Sequence, residues 1–111
     1  MTGTEPVQVV LLTAPDAEVG ARIARQLVEE GLAACANLVP GVRSIYRWQG
    51  AVQEDAEVLL IVKTRAALVG ALAERVRALH PYELPEVVAL PVAGGSAPYL
   101  DWVRSATEAR G

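Results

Sequence analysis

The 111-residue sequence is 52% hydrophobic, with a mean hydropathy of +0.29, a net charge of −3 and one cysteine, Cys35. A single cysteine excludes an intrachain disulfide framework, and an acidic balance (pI about 5.1) argues against a general nucleic-acid binder. No run reaches the roughly 20 apolar residues of a membrane span, and the length is that of one domain, residues 1–111.

In chain order, Val7–Thr13 reads as a strand, with Val9, Val10, Leu11 and Leu12 in an unbroken apolar run. The residues before it lack a basic leader and Val7–Leu12 is too short for a signal-peptide core, so a cytoplasmic location is expected. Asp16, after Pro15, is a suitable N-cap for a helix running to about Glu30. Val19, Ile23, Leu27 and Val28 share one face of it, and Gly31 suits a left-handed C-terminal cap. Two long strands follow, Ala33–Trp48 and Ala51–Thr64, meeting at Gln49-Gly50. Pro40 cannot donate to a ladder, so Pro40-Gly41 predicts a kink in the first of them. A second helix spans about Ala66–Leu79, with Leu68, Leu72, Val76 and Leu79 on one stripe; Pro81 disfavours helical geometry at His80 and stops it. Val87–Val92 is a short strand, with Pro91 near its end marking an edge or a bulge. Ser96 caps a last helix with Pro98 in its first turn and Tyr99, Leu100, Trp102, Val103 and Ala106 as its apolar side. The first few residues and the tail after Thr107 are expected to be loose. The first six elements match the ferredoxin-like βαββαβ motif. The fold class is therefore α+β, with a long hairpin between the second and third strands and an extra C-terminal helix.

Two features of this pattern reach beyond one chain. Extended at about 3.3 Å per residue, Ala33–Trp48 would span roughly 50 Å, whereas a domain of this size is only about 35 Å across. Part of the hairpin must bend or overhang, carrying Ile45, Tyr46 and Trp48 with it. The inner strands also lack alternation: Val58, Leu59, Leu60, Ile61 and Val62 are consecutive, as are Val9–Leu12. A strand with one wet face alternates, and consecutive apolar residues mean that both faces are covered. Two crossover helices cover one face, and a short third helix cannot cover the whole of the other. A homo-oligomer is expected, its sheets facing each other and its arms joining neighbouring edges.

Signals of chemistry are sparse. No Walker loop, GxGxxG, GxSxG or paired-cysteine motif is present, and no nucleophile, base and orienter stand together, so no catalysis is expected. His80, the only histidine, is a candidate metal ligand, with Cys35, Glu83 and Glu86 as the available supplements; at a helix C-terminus it can instead bond the last carbonyls. Cys35 at the start of a strand reads as a small buried hydrophobe. Tyr46-Arg47-Trp48 on the arm suits an interface or a ligand cleft. Glu54, Asp55 and Glu57 read as a solvated edge that blocks further pairing, Lys63 as a candidate anion contact, and Gly94-Gly95-Ser96 as a turn or an anion-binding helix start.

Several segments together resemble the CutA divalent-cation tolerance family. They are Thr13-Ala14-Pro15-Asp16, Gly31–Asn37, Pro40–Gly50, Glu57–Thr64, His80-Pro81-Tyr82-Glu83-Leu84-Pro85-Glu86 and Tyr99-Leu100-Asp101-Trp102. The resemblance covers about Val9 to Trp102. It implies a ferredoxin-like subunit in a tight trimer, similar in architecture to PII-type proteins, and a link to tolerance of divalent metals, chiefly copper. It brings no catalytic residues. Copper-binding bacterial members use a cysteine in the first strand and two adjacent histidines before Pro-Tyr; here Leu12 and Leu79 stand at two of those positions and only His80 remains. Cys35 matches a cysteine of the family's Ala-Ala-Cys motif.

Two functions are therefore expected. One is a non-enzymatic homotrimer that binds Cu(II) or another divalent cation weakly through His80, with no required cofactor. The other is a PII-like regulatory trimer holding a small anionic ligand in inter-subunit clefts lined by Cys35, Tyr46, Trp48, Lys63, Tyr82 and Glu83. Neither involves nucleic acid or a membrane.

Overall fold

The computed structural model describes residues 5–108. The ends expected to be loose fall largely on residues 1–4 and 109–111, which lie outside the described residues. The elements run β1 (Val7–Ala14), α1 (Ala17–Glu29), β2 (Cys35–Trp48), β3 (Ala51–Arg65), a 3₁₀ turn (Ala66–Leu68), α2 (Val69–Leu79), β4 (Val88–Pro91) and α3 (Ala97–Ala106). The four strands form one antiparallel sheet in the order β2-β3-β1-β4, the ferredoxin-like arrangement expected from the element order.

Local chemistry sets the boundaries. Asp16 caps α1, its carboxylate accepting from Val19 N–H at 2.8 Å. Gly31, in the left-handed conformation at φ 74°, follows the helix. Leu32 and Ala33 then donate back to the Leu27 carbonyl, at 2.9 and 3.2 Å, so they finish the helix and β2 starts two residues later than expected, at Cys35. The segment expected to open the second helix is a 3₁₀ turn; no side chain caps it, and its start is tied by Ala66 N–H to the Pro6 carbonyl. His80 is extended, at ψ 140°, as Pro81 requires. Strand β4 is shorter than expected, and Pro91 occupies its last position, opposite Gln8.

The helices α1 and α2 cover one face of the sheet. Val10, Leu12, Leu60 and Val62 from the strands and Ile23, Leu27, Leu72 and Val76 from the helices are fully buried there. Each such side chain contributes about 1.5–3 kcal/mol by leaving water. Val28, expected on the buried face of α1, is exposed.

The opposite face is open. Alternation and register place Val9, Leu11, Leu59 and Ile61 there, with Val39, Val88 and Leu90 on the flanking strands. Helix α3 covers only one end of it, packing Val103 on Val7 and Ala34 with Leu100, Ala106 and Val92 around them. Tyr99 and Trp102 of that helix stay exposed with their rings 5.5 Å apart, although both were expected on its packed side. Arg65 fastens the end of α3: it donates to both Glu5 carboxylate oxygens at 3.0 Å, to Thr107 Oγ1 at 2.9 Å and to the Thr107 carbonyl at 2.6 Å.

The hairpin overhangs as its length demands. β1 pairs with β3 only over Val58–Arg65, so from Val42–Glu57 to the tip β2 and β3 have only each other. The chain measures 48 × 28 × 22 Å along its principal axes. The kink at Pro40-Gly41 is a break in register between Val39 and Val42, with Gly41 at φ 82°, a conformation that a Cβ would disfavour. Among the described residues no helix is long and apolar enough to cross a membrane.

Candidate functional site

The loop after α2 touches β1 through His80 and the base of the arm through Tyr82. His80 sets its path. The ring is buried; Nε2 lies 2.7 Å from the Thr13 carbonyl, and Tyr82 N–H donates to Nδ1 at 3.1 Å. A carbonyl only accepts, so the proton is on Nε2 and Nδ1 is the acceptor. Both ring nitrogens are thus engaged, and a metal could reach Nδ1 only by displacing the Tyr82 N–H. The bonds run to β1 and to the next loop, not to the last carbonyls of α2 as the helix-end position suggested.

His80 in turn places Tyr82. Their ring centroids are 4.5 Å apart, and the Tyr82 hydroxyl donates to Glu57 Oε2 at 2.8 Å. Burial, and then this bond to Glu57, push the Tyr82 hydroxyl well above the ordinary tyrosine value. Tyr46 donates to Asp55 across the arm, and that bond, before burial, raises its hydroxyl as well. Both phenols therefore stay protonated and serve as donors to carboxylates.

These groups line a cleft of about 780 Å³ between the arm and the loop. Tyr46, Trp48 and Tyr82 supply its aromatic surface, and Asp55, Glu57, Glu83 and Glu86 its charge, with Arg47 the one basic side chain among its lining residues. Glu57 is 7% exposed. The acidic run expected to be a solvated edge is thus divided by strand alternation: Glu54 points to the far face and pairs with Arg43, while Asp55 and Glu57 face the cleft.

Four of the six residues expected in a ligand cleft meet here: Tyr46, Trp48, Tyr82 and Glu83. Cys35 and Lys63 do not line it. They oppose each other in the β2–β3 register, six residues along β3 from Glu57, or roughly 20 Å away. Lys63 donates to Asn37. Cys35 is half-buried, not fully buried as expected, with Sγ 3.4 Å from the Tyr99 hydroxyl on α3. That contact, before burial, raises the Tyr99 hydroxyl. At Gly94-Gly95-Ser96 the helix start bonds within itself, Leu100 N–H donating to the Ser96 carbonyl at 3.0 Å, and the Ser96 side chain makes no capping bond. Asp55, Glu57 and Glu86 complete the cleft and were not assigned to it from sequence. The signal for the first two was present in the register, since residues two apart on β3 must share a face.

The protein-family model described as CutA1 divalent ion tolerance protein matches residues 8–106. The chain belongs to that family. It is 60% identical over 100 residues to the divalent-cation tolerance protein CutA of Thermus thermophilus, an alignment covering 90% of this chain and 97% of that one. It is 52% identical over 104 residues to the chloroplastic protein CutA 1 of rice, Oryza sativa, covering 94% of this chain and 59% of that longer one. The crystal structure of rice CutA1 superposes with a TM-score of 0.92 at 51% identity, covering 96% of this chain and 97% of that one. Leu12 is sealed in the core and Leu79 packs against it, so neither offers a donor at the two positions where the family resemblance implies metal ligands. Among the described residues, no three His, Cys, Asp or Glu side chains gather as a ready metal site.

Proposed function

We propose that this chain acts in divalent-cation tolerance as a non-catalytic homotrimer that binds copper or another divalent cation weakly. The family assignment supports the class, the Thermus relative being named for divalent-cation tolerance. The observation that carries cation binding is the charge of the cleft, four carboxylates against one guanidinium. Oxygen ligands of this kind hold divalent ions loosely unless several converge, which accords with weak binding. His80 then acts on the site through Tyr82, by fixing the loop.

The trimer is supported by the open face and the arm. Val9, Leu11, Leu59, Ile61, Val88 and Leu90 form an apolar surface on one side of a sheet whose other side is packed. A two-stranded ribbon is marginal in water by itself, and this one exposes Ile45 and Val52 as well. Copies that bring their open faces together, with arms laid along neighbouring edges, cover both.

A regulatory trimer with a small anionic ligand would need basic groups in the cleft. Lys63, the cation expected to serve it between subunits, lies at the other end of the sheet from this cleft within one chain, and no observation favours that alternative.

Calorimetric titration of Cu(II) into metal-stripped protein, with light scattering on the same sample, tests the proposal. Saturable, low-affinity binding by a trimer is expected, weakened by joint Glu83→Gln and Glu86→Gln substitution and less affected by His80→Ala. No binding by an intact trimer overturns the metal assignment; a monomer by light scattering overturns the assembly.

A further inference from the structure

The cleft contains a charge that its own chain leaves uncompensated. Glu57 is 7% exposed, and its one hydrogen bond among the described residues comes from a neutral donor, the Tyr82 hydroxyl. The ion pairs of the described residues join other carboxylates: Arg43 to Glu54, Arg65 to Glu5, Arg75 to Glu30, Arg77 to Glu74 and Arg104 to Asp101. Carboxylates are almost never this buried without a cationic partner. Here the missing partner has a place to sit, because Glu57 borders a cleft of about 780 Å³, a volume suited to a small organic ligand.

The walls favour one kind of cation. Tyr46, Trp48 and Tyr82 surround the space, and ammonium groups and their alkyl stems are stabilised over such rings. A bare metal ion gains little from aromatic walls and prefers converging oxygen or nitrogen donors; no group of three such side chains converges among the described residues. The acids are also graded in depth. Glu57 is buried at the base, whereas Asp55, Glu83 and Glu86 are exposed around it. A ligand with positive charge at both ends and methylenes between them satisfies the buried carboxylate, the rings and the rim together.

We propose that the cleft binds an aliphatic di- or polyamine, one ammonium on Glu57 and the chain against Tyr46, Trp48 and Tyr82, with a second ammonium at the outer carboxylates. This rests on the reading of the cleft as a cation site, left open when neighbouring copies cover the arm that carries Tyr46 and Trp48, and needs no copper.

The test uses 1,4-diaminobutane as probe and reads the fluorescence of Trp48 in a Trp102→Phe background. Neutral 1,4-butanediol and MgCl2 at matched ionic strength serve as controls. Saturation with a Kd of roughly 1 mM or below is expected, within reach of a ligand with six heavy atoms. Glu57→Gln keeps an acceptor for Tyr82 but removes the charge, and is expected to weaken binding about thirtyfold. No saturable response, an equal response to the diol or to MgCl2, or unchanged affinity in Glu57→Gln overturns the proposal. Should Glu57→Gln fail to fold, Trp48→Ala followed by calorimetry decides: weaker diamine binding supports the proposal, and unchanged binding overturns it. The two readings fail separately. Copper binding without diamine binding refutes this inference alone, and diamine binding without copper binding refutes the metal assignment alone.

Discussion

The two faces of the sheet are made from the same kinds of residue and complete themselves differently. On the helix side, Val10, Leu12, Leu60 and Val62 meet α1 and α2 and lose all contact with water within one chain. On the other side, Leu11, Leu59 and Ile61 are equally apolar but stay partly exposed, because α3 reaches only the end near Val7 and Ala34. One face therefore stabilises the fold at any concentration, while the other contributes fully only when something is laid on it. Neighbours in sequence thus belong to different equilibria.

Leu60 and Ile61 offer the largest test of that contrast. Leu60→Ala opens a cavity among side chains that cannot collapse, at a cost of about 2–5 kcal/mol. The loss should show in urea denaturation without depending on protein concentration. Ile61→Asp should leave the fold of one chain intact but place a charge on the open face, so that light scattering reports monomers where the proposed assembly predicts a trimer for the unmodified protein. If both variants lose stability alike and independently of concentration, the contrast between the faces is wrong.

The end of the open face that α3 does cover depends on Arg65. Its guanidinium joins Glu5 and Thr107 through four hydrogen bonds and is largely buried. Arg65→Ala leaves those acceptors without donors, at a cost of about 1–3 kcal/mol. Hydrogen exchange should rise in α3 before it rises in α1 or α2. Uniform acceleration across all helices would show that α3 is not fastened separately.

A smaller effect comes from the base of the arm and has a definite sign in pH. The Tyr82 hydroxyl is raised above the ordinary value of about 10 by burial first and by its bond to Glu57 second. Below that value the phenol is protonated in folded and unfolded chains alike, and the stabilisation it gives is fully present. As pH rises above about 10 the unfolded chain ionises first, and the contribution is progressively lost. Denaturation midpoints should therefore fall more steeply above pH 10 in the unmodified protein than in Tyr82→Phe. Parallel curves would contradict the raised hydroxyl.

Much of this architecture was legible in the sequence. Pro40-Gly41, Gln49-Gly50 and Pro81 each dictate a backbone conformation locally, and the kink, the hairpin tip and the helix stop lie there. The overhang and the open face were legible because strand length and the lack of alternation are arithmetic properties of the chain. The cleft was legible in part. Tyr46, Trp48, Tyr82 and Glu83 come from segments whose ends the fold brings together, whereas the register places Cys35 and Lys63 at the other end of β3 in the same chain, and the cleft expected from sequence lay between subunits. The buried state of Glu57 was not legible. Burial there depends on a loop more than twenty residues later in the chain, steered by a histidine whose bonding partner is a carbonyl of β1.

The arm tip allows a test in which the two-stranded region is altered and the packed body is not. Gln49 and Gly50 both have positive φ, 50° and 80°, between Trp48 and Ala51, which pair. This is the two-residue hairpin loop whose twist matches the strands, and Asn-Gly is its preferred sequence. Gln49 occupies the left-handed region without the short side chain that makes Asn tolerant of it. Gln49→Asn should stabilise the tip by about 0.5–1 kcal/mol. The gain would appear as slower hydrogen exchange at Arg47, Val52 and their neighbours, with exchange in the β1–β3 ladder unchanged. If protection spreads equally into that ladder, the arm and the body unfold as one unit, and the arm is not an independent ribbon awaiting a partner. If it stays local, the arm has its own opening equilibrium, and covering it in an assembly is then a separate source of stability from the core behind β1 and β3.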